Sequence, residues 1–154
     1  MMTAVMTMMV MIIVMIQTVT EIITVLCIFL SQLNGERVPS EIYYLSKVSQ
    51  IFGVTRLLDY FENDDNFIIV LDRNRPCQDL FDYITERGNL PESQAQDFLE
   101  QIVSTLVKVH AAGIVHRDIK DENILVNLET NLLTIIDFGS AAILKNSLYK
   151  DCDG

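Results

Sequence analysis

Cations are scarce in this chain and unevenly placed: 11 lysines and arginines stand against 21 aspartates and glutamates, and none precedes Arg37. A net charge of −10 and a pI near 4.4 disfavour nucleic acid and anionic membrane surfaces as partners. A basic peptide suits such a surface better, although acidity alone also serves solubility. Cysteine is equally sparse. Cys27, Cys77 and Cys152 are odd in number, far apart and without a C-x-x-C pair. That excludes a disulfide scaffold and an ordinary zinc site, and fits a reduced intracellular protein, cytoplasmic and also nuclear. What the chain has in plenty is apolar: half of its 154 residues are hydrophobic, too many for a disordered protein and enough for one domain with a sizeable core.

The first thirty residues differ from the rest. All seven methionines lie within residues 1–15, residues 1–20 carry no charge, and Glu21 is the only charge before Glu36. A helix of about 20 residues spans roughly 30 Å, so a membrane span has the length it needs. Thr3, Thr7, Gln17, Thr18 and Thr20 dilute it, however, and no flanking cations orient it. A secretory signal would need a basic n-region and a small-residue cleavage site, which are missing. Residues 1–16 use only Met, Thr, Ala, Val and Ile, whose codons all run purine, pyrimidine, any base. A translated low-complexity nucleotide repeat gives such a run, and that origin is favoured over a membrane segment or a buried element. Length leans towards a helix here against the β-branched composition. The segment 1–30 is expected to be dispensable to the remainder, residues 31–154.

From Leu33 onward the pattern is that of a soluble domain. Asn34-Gly35 reads as a turn. Pro39 opens a helix with Ile42, Leu45 and Val48 on one stripe. Val54 to Phe61 and Phe67 to Leu71 read as strands around a polar turn at residues 62–66. Gln78 to Arg87 reads as a short helix stopped by Gly88. Pro91 starts a longer helix, ended near Gly113, with Ala95, Phe98, Leu99, Ile102, Leu106 and Val109 at helical spacing. Ile124 to Val126 and Leu132 to Ile136 read as short strands. Helices and strands mix without βαβ repetition, so the fold class is α+β.

The chemistry concentrates in His116-Arg117-Asp118-Ile119-Lys120-Asp121-Glu122-Asn123 and Asp137-Phe138-Gly139. Phosphoryl transfer needs a carboxylate to accept the proton of an attacking hydroxyl, hard oxygen ligands for Mg²⁺, and cations to offset phosphate charge. Asp118 can be that base, Lys120 the cation, and Asn123 and Asp137 the metal ligands. Both ligands are expected to follow or end strands of one hairpin, and Gly139 to let the backbone bend after Asp137. Each motif alone has a bland alternative, a surface turn or a chance tripeptide. In this order, with Asn123 five positions after Asp118 and Asp137 fourteen after Asn123, chance is excluded.

These loops resemble the catalytic and metal-binding loops of protein kinases, with Lys120 as in the serine/threonine subclass. The likeness narrows through Val38-Pro39-Ser40-Glu41, Arg56-Leu57-Leu58-Asp59-Tyr60-Phe61, residues 78–88 and Ile119-Lys120-Asp121-Glu122-Asn123-Ile124-Leu125. Together these are similar to the Pim kinases, from about residue 33 to the last. The resemblance implies a kinase-like fold, truncated, with ATP and Mg²⁺ as cofactors. It implies that Glu41 is the helix glutamate that pairs with a strand lysine, Leu71 the gatekeeper, and Asp72-Arg73-Asn74 the hinge to adenine. It places Leu125 beneath the adenine, and Leu45, Leu57, His116 and Phe138 in a hydrophobic spine. One departure is that Pim kinases carry proline in the hinge where this chain has Asn74, which keeps its N–H.

Other departures bear on activity. Kinases cover the phosphates with a glycine-rich loop and pair the helix glutamate with a lysine. Here the first glycine is Gly35 and the first lysine, Lys47, follows Glu41 on its own helix, so neither can serve. Losing one preorganised charge contact costs on the order of 10²–10³ in rate. No Ala-Pro-Glu-type run or peptide-docking region follows Asp137, so the isolated chain is expected to be inactive, and the helix 91–112 to expose apolar surface that a partner would cover. The alternative function is a non-catalytic kinase-like module, or a competitor of a full kinase, with a membrane-anchored form of it third. For the full enzyme, the resemblance implies arginine-rich protein substrates. Asp79 and Asp82, three apart on one helix face, with Asp121 and Glu122 beside the base, would read the arginines. The plainer alternative is that Asp79 caps the helix and Asp121 is solvated.

Overall fold

Pro39, with φ −50° and ψ 143°, stands at the N-cap of helix α1, Ser40–Val48. Ile42, Leu45 and Val48 recur at intervals of three along it and all are buried, each worth about 1.5–3 kcal/mol of transfer free energy. This computed structural model describes residues 20–25, 30–33, 35–62, 66–147 and 149, with 20–25 and 30 as backbone alone. Helix α1 is preceded by strands β1 (Thr20–Val25), β2 (Leu30–Leu33) and β3 (Glu36–Pro39), and followed by β4 (Leu57–Glu62) and β5 (Phe67–Asp72). Strand β5 is central in the antiparallel order β1-β5-β4, and Phe67, Ile69, Val70 and Leu71 are buried on it. Strands β2 and β3 form a separate hairpin.

The second half holds β6 (Cys77–Asp79), α2 (Leu80–Arg87), the 20-residue α3 (Glu92–Ala111), β7 (Ile114–Val115), a 3₁₀ turn at Asp121–Asn123, β8 (Ile124–Asn127), β9 (Leu133–Ile135) and β10 (Ala142–Ile143). Strand β8 lies between β6 and β9, and β7 pairs with β10, all antiparallel. The class is α+β, as expected.

Two hydrophobic clusters flank the β8–β9 hairpin. One joins Ile42, Leu45, Ile69 and Leu71 to Val109, Ile135 and Phe138. The other joins Leu80, Tyr83 and Phe98 to Ile124, Val126 and Leu133. The hairpin is therefore clamped by apolar side chains in both halves. The loop after α1 adds a third hold. Gly53 has φ +92°, and a Cβ there would collide with the Thr105 hydroxyl on α3. Backbone bonds from Ile135 N to Gly53 O (2.8 Å) and from Thr55 N to Ile135 O (2.9 Å) tie this loop to β9. Only glycine fits this combination of left-handed backbone and close approach.

Several expectations need correction. Thr20–Val25 form a strand, not part of a helix: Ile22, Ile23 and Val25 are β-branched, and β5 offers backbone groups from Phe67 to Asp72 for pairing. Strand β1 is registered on the central β5, while the leading residues 1–19 lie outside the described residues. Val54 makes an isolated bridge to Ile135, and the strand starts only at Leu57. Residues 77–79 are a strand paired with β8, so the short helix begins at Leu80. No helix among the described residues is long and apolar enough to cross a membrane.

Candidate active site

The loop between β7 and the 3₁₀ turn carries Asp118, and its geometry is fixed from both sides. The buried Asn123 turns its amide Nδ2 onto Asp118, donating to the main-chain oxygen at 3.0 Å and to Oδ2 at 2.9 Å. Lys120 Nζ reaches the same Oδ2 at 3.3 Å. That hydrogen bond, with the charge of Asp118, raises the Lys120 pKa above its ordinary value. The main chain of Asp118 donates from N to His116 Nδ1 at 3.3 Å. His116 is fully buried, and desolvation lowers its pKa, so the neutral ring carries its proton on Nε2, which donates to Ile136 O at 3.0 Å. Ile136 N donates to Asn123 O at 3.0 Å. The residue before Asp137 thus has both backbone groups committed to the loop that carries Asp118.

Asp137 follows β9, whereas Asn123 lies just before β8 rather than at the end of a strand; the pairing of Ile124 with Ile135 brings the two together at one end of the hairpin. The sharp bend is Asp137 itself, with φ 60°, not Gly139. The glycine serves space instead: a Cβ there would sit 3.1 Å from Asp137 Oδ1, which accepts from Gly139 N at 3.1 Å. Arg117, with φ 69°, donates from Nε to Ser140 O at 2.6 Å and joins the base loop to the turn after Asp137. Non-glycine residues in the left-handed region cost roughly 1–2 kcal/mol each, and both stand beside the candidate catalytic groups. No role was assigned to Arg117 from sequence, although its place inside His-Arg-Asp was the available signal.

The donor set suits a hard divalent cation. The Nδ2 bonds hold the Asn123 amide with its oxygen turned away from Asp118, and one bond from Gly139 to Asp137 Oδ1 leaves Oδ2 for a ligand.

Glu41 lies in the first turn of α1, half-buried. Desolvation, with the charge of Asp137 second, pushes its pKa up to about 7. A carboxylate facing a lysine would move the other way. Of the spine residues, Leu45 and Phe138 are fully buried in one cluster with Leu57 against it, and the His116 ring meets Phe138 edge-on at 4.6 Å. Leu71 is buried in the same cluster. Leu125 alternates to the opposite face of β8 from Ile124 and Val126, which fill the other cluster. Asp72 is paired to Arg56 at 3.8 Å and donates from its backbone N to Arg56 O. Asn74 is exposed, and its carbonyl accepts from Asn127 Nδ2 at 3.4 Å.

Asp79 caps α2 by accepting from Asp82 N at 2.8 Å. Asp82 is exposed, and the charge of Asp79 raises its pKa. Asp121 and Glu122 open the 3₁₀ turn, against which α2 packs, so all four carboxylates sit on neighbouring elements.

A family model of the protein kinase domain matches residues 17–154. The serine/threonine-protein kinase pim-2 of Danio rerio is 52% identical over 103 residues, which cover 66% of this chain and 33% of that protein. The serine/threonine-protein kinase prk-2 of Caenorhabditis elegans is 42% identical over 124 residues, 80% of this chain and 28% of the relative. A PAS domain-containing serine/threonine-protein kinase of Mus musculus is 42% identical over 109 residues, 71% and 8% of the two lengths. The chain spans about a third or less of these relatives. With a clamped hairpin presenting Asn123 and Asp137 beside Asp118 and Lys120, and with this match over most of its length, the chain belongs to the protein kinase family.

Proposed function

We propose that the chain supplies the base, the metal ligands and part of the substrate groove of a serine/threonine kinase that transfers a phosphoryl group from ATP to arginine-rich protein substrates. The observation that carries this reading is the convergence of Asn123 Nδ2 and Lys120 Nζ on one oxygen of Asp118. With Oδ2 so engaged, Oδ1 is the oxygen presented to an incoming hydroxyl. It orients that hydroxyl and accepts its proton, while Lys120 offsets charge on the transferred group. Bound Mg²⁺ would neutralise phosphate charge, and Asn123 and Asp137 are the residues that would hold it. Leu125 and Leu71 would contact the adenine, with Asp72 and Asn74 offering backbone hinge contacts. In a full-length kinase containing this segment, Asp118→Asn should lower kcat by at least about a hundredfold with KM for ATP little changed. Equal turnover in the variant and the parent sinks the assignment.

The acidic elements support a basic substrate. Asp79 and Asp82 repel each other, and a guanidinium between them and Glu122 would relieve that. Replacing upstream arginines by alanine in a peptide series should cost the parent at least about tenfold more than Asp82→Ala/Glu122→Ala.

A second reading is favoured by one observation. Among the described residues no cation holds Glu41 ionised, and burial with the charge of Asp137 pushes its pKa up to about 7. The isolated 154-residue chain therefore acts as a non-catalytic module and should transfer no measurable phosphate to a basic peptide with Mg·ATP. Turnover that vanishes in Asp118→Asn would overturn this.

A further inference from the structure

Beyond the groups that reaction uses, Tyr149 stands in an unusual setting. Its hydroxyl donates to Ile143 O at 2.9 Å and accepts from Lys145 N at 3.2 Å, which brings Tyr149 back onto both residues. Ile143 in turn is held to β7, and Leu144 N donates to Gly113 O at 2.8 Å, so the acceptor of the Tyr149 hydroxyl is itself anchored. Two cations face its aromatic ring: Lys145 Nζ at 4.5 Å from the centroid and the Arg117 guanidinium at 5.7 Å. Arg117 is the residue whose Nε–H binds Ser140 O at 2.6 Å, one position before Asp118 on one loop and three after Asp137 on the other.

We propose that Tyr149 is a positioning residue: a latch that seats Arg117 and through it fixes the distance between the loop of Asp118 and the turn of Asp137. The phenol does two separable things. Its hydroxyl ties Tyr149 to Ile143 and Lys145, and its face attracts the guanidinium, an interaction that depends on the aromatic quadrupole and not on bulk. Leucine matches the volume roughly and supplies neither. Phenylalanine supplies the face without the hydroxyl.

The test is proton exchange at the Arg117 Nε–H, read by NMR on the full 154-residue chain in the parent, Tyr149→Phe and Tyr149→Leu. It requires no kinase activity, so it stands apart from the proposed function. Loss of the hydroxyl bonds in Tyr149→Phe should speed Arg117 exchange by about fivefold. Loss of the ring as well, in Tyr149→Leu, should speed it by more than about tenfold. The Ile135 amide, in the hairpin core, should keep its protection in both. Exchange at Arg117 within about twofold of the parent in Tyr149→Leu overturns the proposal, as does an equal acceleration at Ile135, which would make the effect global loosening.

Discussion

At the scale of single residues, burial shifts two titratable groups near the site towards their neutral forms, and they act in opposite directions on stability. Glu41 has its folded pKa raised from 4.5 to about 7, so the folded chain binds its proton more tightly than the unfolded chain does. Its penalty is absent below 4.5, grows as pH rises to about 7, and is complete above that. By the size of the shift, the penalty at high pH is on the order of 3 kcal/mol. Glu41→Gln should therefore unfold at the same urea concentration as the parent near pH 4 and at a higher one near pH 8. A constant difference across that range would show that Glu41 is not the titrating group. His116, with its pKa lowered by burial, works the other way: its contribution is lost as pH falls below the ordinary histidine value. Much of this scale was legible in sequence, because Asp118, Lys120, Asn123 and Asp137 form a motif whose spacing reports their meeting. The raised Glu41 was not, since it comes from the surrounding burial rather than from any neighbour in the chain.

Among elements, legibility followed length. Helices α1 and α3 and strand β5 carry enough apolar repeats to show a period, and each was located to within a few residues. Strands β7 and β10 have two residues each, and two residues have no periodicity; they exist because Ala142–Ile143 returns to lie against Ile114–Val115. Strand β1 was hidden for another reason. Its composition merges with the low-complexity run before it, and only the pairing with β5 separates them. Asp79 illustrates a side chain with two readings that the helix start decides: its carboxylate is the cap of α2, whatever else it binds. The loop between α1 and β4 makes a sharper prediction. Gly53→Ala forces a left-handed alanine whose methyl meets Thr105, and should destabilise by about 2–4 kcal/mol in urea unfolding. A loss below about 0.5 kcal/mol would show that the loop shifts freely away from α3.

At the scale of the whole molecule, exposed apolar side chains among the described residues include a row on one face of α3. Leu99, Val103 and Val107 form a stripe at intervals of four along α3, 62%, 50% and 61% exposed. Leu99→Glu/Val103→Lys, an i,i+4 pair of favourable orientation, should reduce concentration-dependent association in sedimentation while moving Tm little. Unaltered association would place the sticky surface elsewhere. The leading segment is testable by length: removing residues 1–19 should leave the unfolding midpoint nearly in place, and removing 1–25 should lower stability by more than about 2 kcal/mol as β5 loses one of its two partner strands. Equal effects would mean that β1 contributes nothing. The β8–β9 hairpin has a thermodynamic consequence of its own. Leu133 belongs to one hydrophobic cluster and Ile135, two residues on, to the other, so neither cluster can dissolve without loosening a strand the other relies upon. The two halves are therefore expected to unfold in one calorimetric transition, and the residues that would bind metal sit at the seam between the clusters.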